Sequence, residues 1–227
     1  MDKLTCEILP YDYPSYDLSF KIIIIGDSGV GKSSLIQRAS KDNFSENYQA
    51  TIGFEFCTYN TKINDKIIRC QVWDTCGQEI YRSLISSFYK SSVLSILVYS
   101  INDKNSFFNL NSWINDLKNK ACSNIKIFLI GNKIDLNENR EVDKSEVDDF
   151  VLNNKIDFFL ETSAKTGFNA KNVFIECAKV LYLESLNYQN NNFENPDCDN
   201  FKINNNIPLP ENDERNNERE RKNNCCF

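Results

Sequence analysis

The sequence predicts an α/β domain: a mostly parallel six-stranded sheet flanked by about five helices, followed by a disordered tail. Three observations predict it. Apolar runs of strand length recur at FKIIII (20–25), VLSILVYS (93–100) and IKIFLIG (125–131). Each gives way to polar sequence with helical spacing. A glycine-rich turn, GDSGVGK (26–32), stands between the first run and the first helix.

The elements follow in order. Residues 1–18 read as a short flexible extension. FKIIII has no polar alternation, which suits a strand covered on both faces. SSLIQRA (33–39) continues it with helical spacing. Two alternating runs in 54–73 surround Asn64-Asp65, the signal of a hairpin. The strands at 93–100 and 125–131 are followed by NSFFNLNSWINDLKNK (105–120) and DKSEVDDFVLNN (143–154), both helix-like. IDFFLETS (156–163) is a further strand, and 169–186 a closing amphipathic helix. These boundaries give a domain over 19–186. Beyond it, 187–227 is Asn-rich and nearly free of apolar periodicity. Such a segment cannot bury enough surface to offset its ordering entropy, so it reads as disordered.

Composition narrows the function. The chain has 227 residues, enough for one domain with a tail, and a net charge of −6. That charge argues against a nucleic-acid binder, which needs a basic face. No apolar stretch is long enough to cross a membrane as a helix. The start, MDKLTCEILPYDYP, lacks the basic and apolar regions of a signal peptide, so the expected place is the cytosol. There the nine cysteines stay reduced. The chain contains no histidine, which excludes Ser–His and Cys–His nucleophile pairs and histidine metal sites.

Gly26 to Ser33 fits GxxxxGKS/T between a strand and a helix, the phosphate loop of P-loop NTPases. Its glycines let backbone N–H groups of Ser28, Gly29, Val30, Gly31 and the following residues face phosphate oxygens, and the helix N-terminus adds its positive end. Lys32 reaches the β- and γ-phosphates, Ser33 offers a hydroxyl to Mg²⁺, and Ser34 follows at the same end. A glycine turn with a surface lysine is the plainer alternative. Asn132, Lys133 and Asp135 follow a buried strand, at the sheet edge where ligands bind in such folds. A carboxylate there accepts from N1–H and the 2-amino group of guanine; adenine has no such donor pair. A common polar loop would read the same way if it stood alone. It stands instead between the phosphate loop and Ser163-Ala164-Lys165.

In order and spacing, GDSGVGKSS, TIG (51–53), WDT and GQE (73–75 and 77–79), GNKIDL and ETSAKTG resemble the nucleotide-binding motifs of the Rab branch of Ras-like small GTPases. The resemblance covers residues 19–185. YDLSFKIIIIGDSGVGKS, TIGFEFCT and RCQVWDT are most similar to the recycling-endosome (Rab eleven) subgroup. It implies a P-loop NTPase G domain that cycles between GTP and GDP with Mg²⁺ and regulates vesicle traffic. It implies that Phe44 packs on the base, and that Ser163, Ala164 and Lys165 support it. Thr51 and Asp74 join Ser33 at the metal. Gly77 senses the γ-phosphate, and Gln78 orients the attacking water. Residues about 44–53 and 74–89 are the switches released on hydrolysis. Phe56, Trp73 and Phe88 match the aromatic triad shown to effectors, with plain core packing as the alternative.

The implied partners are an exchange factor, a GTPase-activating protein, a Rab escort protein with geranylgeranyl transferase, a GDP-dissociation inhibitor and effectors. The final CCF fits double geranylgeranylation at Cys225 and Cys226 rather than the four-residue prenylation box, whose Cys would fall at Asn224. Two lipids anchor stably where one does not. This places the protein on the cytoplasmic face of recycling-endosome or Golgi-derived membranes, with a cytosolic pool.

Departures from the family pattern are Cys76 for Ala, Ile80 for Arg, Ser100 for Asp and Ala39 for Phe. None removes a metal or phosphate ligand. Two readings stay open at this point: a hydrolysing switch, and a membrane-tethered GTP-binding scaffold. A P-loop kinase is argued against by NKID and SAK.

Overall fold

The computed structural model describes residues 4–46, 51, 53–77 and 88–191. Seven strands form one mixed sheet in the order β1-β3-β4-β2-β5-β6-β7. They are β1 (Cys6–Leu9), β2 (Leu18–Ile25), β3 (Phe54–Ile63), β4 (Lys66–Thr75), β5 (Leu94–Ser100), β6 (Lys126–Asn132) and β7 (Phe158–Glu161). The helices are α1 (Lys32–Lys41), α2 (Lys104–Phe108), α3 (Leu110–Lys120), α4 (Lys144–Asn154) and α5 (Ala170–Asn191). β2 pairs in parallel with β4 and β5, β5 with β6, and β6 with β7. Only the β3–β4 hairpin and β1 run antiparallel.

The run of four isoleucines in β2 explains the layering. Side chains alternate across a strand. Ile22 and Ile24 enter one core cluster with Leu35 of α1 and Phe174 of α5. Ile23 and Ile25 enter the other, with Phe107 of α2, Trp113 of α3 and Val147 of α4. A strand covered by helices on both sides has no solvent face to mark with polar residues.

The parallel strands all end at one edge. Ile25 leads into the phosphate loop, Asn132 into a 3-10 turn (Ile134–Asn139), and Glu161 into the Ser163 loop. Gly26 crosses so close to β5 that a Cβ there would sit 2.1 Å from the Val98 carbonyl oxygen, and its φ is 140°. The turn therefore requires glycine.

The structure corrects the sequence reading at the N-terminus. A six-stranded sheet with a flexible extension at 1–18 was expected; instead Cys6–Leu9 is a seventh strand on the edge of β3, in register Cys6↔Ile63 to Leu9↔Asn60. The chain beyond it forms a strap. Pro10 and Tyr11 carbonyls accept from Asn60 Nδ2 at 2.8 and 3.1 Å, Tyr11 also from Thr58 Oγ1 at 2.8 Å, and Tyr13 from Arg69 Nη2. The Tyr16 ring lies 4.3 Å from the Arg69 guanidinium carbon. The strand is exposed, so its sequence carries no alternation. What stabilises it is the unpaired edge of β3, a long-range template.

Two helices also differ from expectation. The helix read across 105–120 is broken at Asn109 into α2 and α3. α5 runs to Asn191, past the expected end at 186. Once formed, a helix extends at one hydrogen bond per residue, so weak composition does not stop it. Gln78, Ile80 and 192–227, including Cys225 and Cys226, lie outside the described residues.

Candidate functional site

A cavity of about 590 Å³ opens along the strand-end edge. Its lining runs from Ser28, Gly29, Gly31, Lys32, Ser33 and Ser34 at one end to Asn132, Lys133, Asp135, Ala164 and Lys165 at the other, with Phe44, Thr51 and Gly77 on its walls.

At the first end, Gly29 and Gly31 take φ of 79° and 96°. Those left-handed turns curl the loop ahead of α1, whose N-terminus points at the cavity. Lys32 is buried, and its Nζ donates to the Gly26 and Asp27 carbonyls at 2.8 Å each. Burial pushes its ammonium down to about 8, against the pull of Asp74 and Asp27.

Ser33, Thr51 and Asp74 meet beside it. Ser33 Oγ donates to Asp74 Oδ2 and lies 2.8 Å from Thr51 Oγ1. The second carboxylate oxygen, Asp74 Oδ1, is buried without a hydrogen-bond partner. Burial pushes this carboxyl up to about 6, while the Ser33 bond and Lys32 pull it down. Two hydroxyls and a carboxylate with one unsatisfied oxygen are hard donors that fit Mg²⁺, which takes few protein ligands and completes its shell with water and phosphate. No group of three Cys, Asp or Glu residues fit to hold a metal occurs among the described residues.

At the other end Asn132 is the knot. Its Nδ2 donates to the Val30 carbonyl at 2.9 Å; its Oδ1 accepts from Thr162 Oγ1 at 3.1 Å and Ala164 N at 3.2 Å. Asp135 is exposed to the cavity, and Ser163 Oγ fixes it by donating to its Oδ1 at 2.5 Å. Ser163 in turn accepts from Thr166 N at 3.0 Å. Lys133 is half-buried with φ 69°, and desolvation lowers its pKa. Val30 and Ser163, both buried, stand one layer behind the lining. Lys165 pairs across the mouth with Glu46 at 3.0 Å.

Arg38 was not singled out in the sequence. From α1 it donates to the Ala164 carbonyl at 2.8 Å and the Lys165 carbonyl at 2.6 Å, and its guanidinium lies 6.0 Å from the Phe44 ring centroid. It thus holds both the Ser163 loop and the aromatic wall. In sequence it is a cation in the last turn of a helix, where the helix dipole alone accounts for it.

Phe56, Trp73 and Phe88 come together outside the cavity, Trp73 at 5.2 Å from each of the other rings. Phe54 joins them, 4.5 Å from Phe88 and 53% exposed. All three predicted members are half-buried. Cys76 is buried at 2% exposure, in the core cluster that also holds Ile23, Ile25 and Leu97, and its N–H donates to the Gly53 carbonyl at 3.1 Å.

The comparisons with known proteins agree with this arrangement. Residues 21–183 match the Ras family. Ras-related protein RABA1h of Arabidopsis thaliana is 41% identical over 167 residues, 74% of this chain and 76% of the relative. Ras-related protein Rab11B of Nicotiana tabacum gives the same identity over the same shares. Ras-related protein Rab-13 of Rattus norvegicus is 36% identical over 189 residues, 83% of this chain and 93% of the relative.

The chain belongs to the Rab branch of the Ras family. As a member it is a guanine-nucleotide-binding GTPase acting in membrane traffic, and the expected G-domain architecture is the one observed. No helix among the described residues is long and apolar enough to cross a membrane.

Proposed function

We propose that this GTPase holds GTP with Mg²⁺ in the 590 Å³ cavity, phosphates at 28–34 and base at 132–135, and hydrolyses the β–γ bond. The observation that carries the reading is the division of one cavity into two chemistries. Cation donors and Lys32 stand at one end; a carboxylate fixed by Ser163 stands at the other.

Lys32 leaves its loop carbonyls for β- and γ-phosphate oxygens. Asp135 accepts from the guanine edge, and Phe44 packs on the ring. Ser33, Thr51 and Asp74 would hold Mg²⁺, which would supply positive charge to offset that developing on the phosphates. Gln78 orients water and the Thr51 backbone senses the γ-phosphate; the water oxygen bonds to the γ-phosphorus, the bond from that phosphorus to the bridging oxygen breaks, and GDP departs. Loss of the γ-phosphate frees Thr51 and Gly77, which releases the two switches. The aromatic cluster of Phe56, Trp73 and Phe88 is the surface that reports the state to effectors. Exchange and activating factors, an escort protein with its prenyl transferase and a GDP-dissociation inhibitor complete the cycle. Cys225 and Cys226 carry the two lipids that anchor the protein to recycling-endosome or Golgi-derived membranes.

The test is to purify the full chain, identify the nucleotide it retains, and follow phosphate release with and without Mg²⁺. Guanine nucleotide and Mg²⁺-dependent release are expected. Retained adenine nucleotide, or no release even with activating proteins, would overturn the reading. For the anchor, Cys225→Ser with Cys226→Ser should release the protein from membranes and leave nucleotide binding intact.

A further inference from the structure

The reading above leaves the Asp27 side chain unused, although Asp27 is the second residue of the phosphate loop. Its carboxylate accepts two hydrogen bonds from one helix end: Oδ1 from Trp113 Nε1 at 2.8 Å and Oδ2 from Asn109 Nδ2 at 2.7 Å. Residues 109 and 113 are one helical turn apart, so both donors reach the same carboxylate. Asn109 precedes α3, where an Asn side chain ordinarily caps the helix by accepting from its N–H groups. Here it makes no such cap and turns to Asp27 instead. Trp113 is fully buried, so its indole N–H is a fixed point in the core.

The Asp27 backbone lies where the moving parts meet. Its carbonyl accepts from Lys32 Nζ at 2.8 Å. Gly77 presses against it so closely that a Cβ at 77 would stand 2.4 Å from the Asp27 carbonyl carbon and 2.4 Å from Ser28 N. The phosphate loop, the switch glycine and the start of α3 therefore share one residue.

We infer that Asp27, held by Trp113 and Asn109, is a positioning residue that sets the phosphate loop against α3 and thereby aligns the phosphates for attack. The inference rests on the reading of 26–33 as the phosphate site. Asp27 acts through the loop backbone and touches no reacting atom. Misplacing reacting groups by about 1 Å costs on the order of a hundredfold in rate, so a clamp on this loop is felt in catalysis.

The test uses the full chain loaded with GDP or GTP and Mg²⁺, in wild type, Asp27→Ala, Asp27→Asn and Asn109→Ala. The chain has two tryptophans, so an indole ¹⁵N–¹H spectrum has two resonances. The Trp113 resonance is expected to move in both Asp27 variants while that of Trp73 stays. Single-turnover hydrolysis and GDP release should each change by about tenfold in Asp27→Ala and about threefold in Asn109→Ala, with Asp27→Asn between Asp27→Ala and wild type, because its one amide oxygen replaces only one of the two acceptors. A role in stability alone would lower the melting temperature and leave both rates unmoved. The inference is overturned if the Trp113 resonance ignores Asp27→Ala, or if hydrolysis and release both stay within about twofold of wild type. If wild type retains no guanine nucleotide, the site reading itself fails and the clamp falls with it.

Discussion

Asn132 Nδ2 donates to the Val30 carbonyl at 2.9 Å, joining residues 102 positions apart in the chain. The bond ties the 132–135 loop to the glycine-rich loop and so joins the two ends of the cavity. Its tightness is visible at Gly31, where a Cβ would stand 2.4 Å from the same nitrogen.

Asn132→Ala removes that donor and the acceptor of Thr162 and Ala164 together. Buried partners left unsatisfied cost about 1–3 kcal/mol each. Release of a fluorescent GDP analogue, chased with unlabelled GDP, is expected to accelerate by about tenfold or more. Release at the wild-type rate would mean that the knot does not contribute to nucleotide retention.

Asp135→Asn tests base selection. Ser163 already supplies one hydrogen bond to Asp135 Oδ1. An amide at 135 donates where the carboxylate accepted, so xanthine, with a 2-oxo group, gains and guanine loses. GTP binding should fall by about a hundredfold or more, with xanthosine triphosphate replacing it. If wild type binds ATP as well as GTP in competition, the assignment of 132–135 is wrong.

Arg69→Ala tests the strap. Arg69 is buried at 5% exposure, donates to Asn60 Oδ1 at 2.9 Å and to the Tyr13 carbonyl, and stacks on Tyr16. Hydrogen bonds from a charged donor are worth about 1.5–3 kcal/mol. For a domain of this size a loss of about 2 kcal/mol lowers Tm by about 4–8 °C. Both proteins must carry the same nucleotide at the same concentration, since ligand raises Tm by mass action. Nucleotide affinity is expected to be unchanged, because Arg69 and the strap residues it holds do not line the cavity.

What the sequence made legible follows from where the signal is local. The four isoleucines of β2, the glycine turn and the NKID loop each carry their own pattern, so the sheet, its helices and the edge that carries the site are legible in the sequence. Cys6–Leu9 has no such pattern, because the β3 edge stabilises it across the fold. Arg38 and Asp27 were equally silent. Each looks like an ordinary helix-end or loop charge, and only the fold brings Arg38 to the Lys165 carbonyl and Asp27 to Trp113. The break at Asn109 hid for a related reason: its side chain serves the phosphate loop and not the helix it begins.

Cys76→Ala addresses the one unusual residue of the WDTCGQE run. A free cysteine behaves as a small hydrophobe, and Cys76 is buried as one, in the core cluster that also holds Ile23, Ile25 and Leu97. Its backbone holds the Gly53 carbonyl, a bond any residue there would make. The sulfur is buried, and deleting it leaves a small cavity worth about 1 kcal/mol of stability. Hydrolysis in Cys76→Ala should stay within about threefold of wild type, since no ligand is lost. Gln78→Leu is the control that removes the amide proposed to orient water, and a loss of about tenfold or more is expected there. Phosphate release from preloaded GTP measures all three proteins side by side. Should wild type be as inactive as Gln78→Leu with activating proteins supplied, and Cys76→Ala restore turnover, the sulfur is blocking the switch and the chain as it stands is a GTP-binding scaffold.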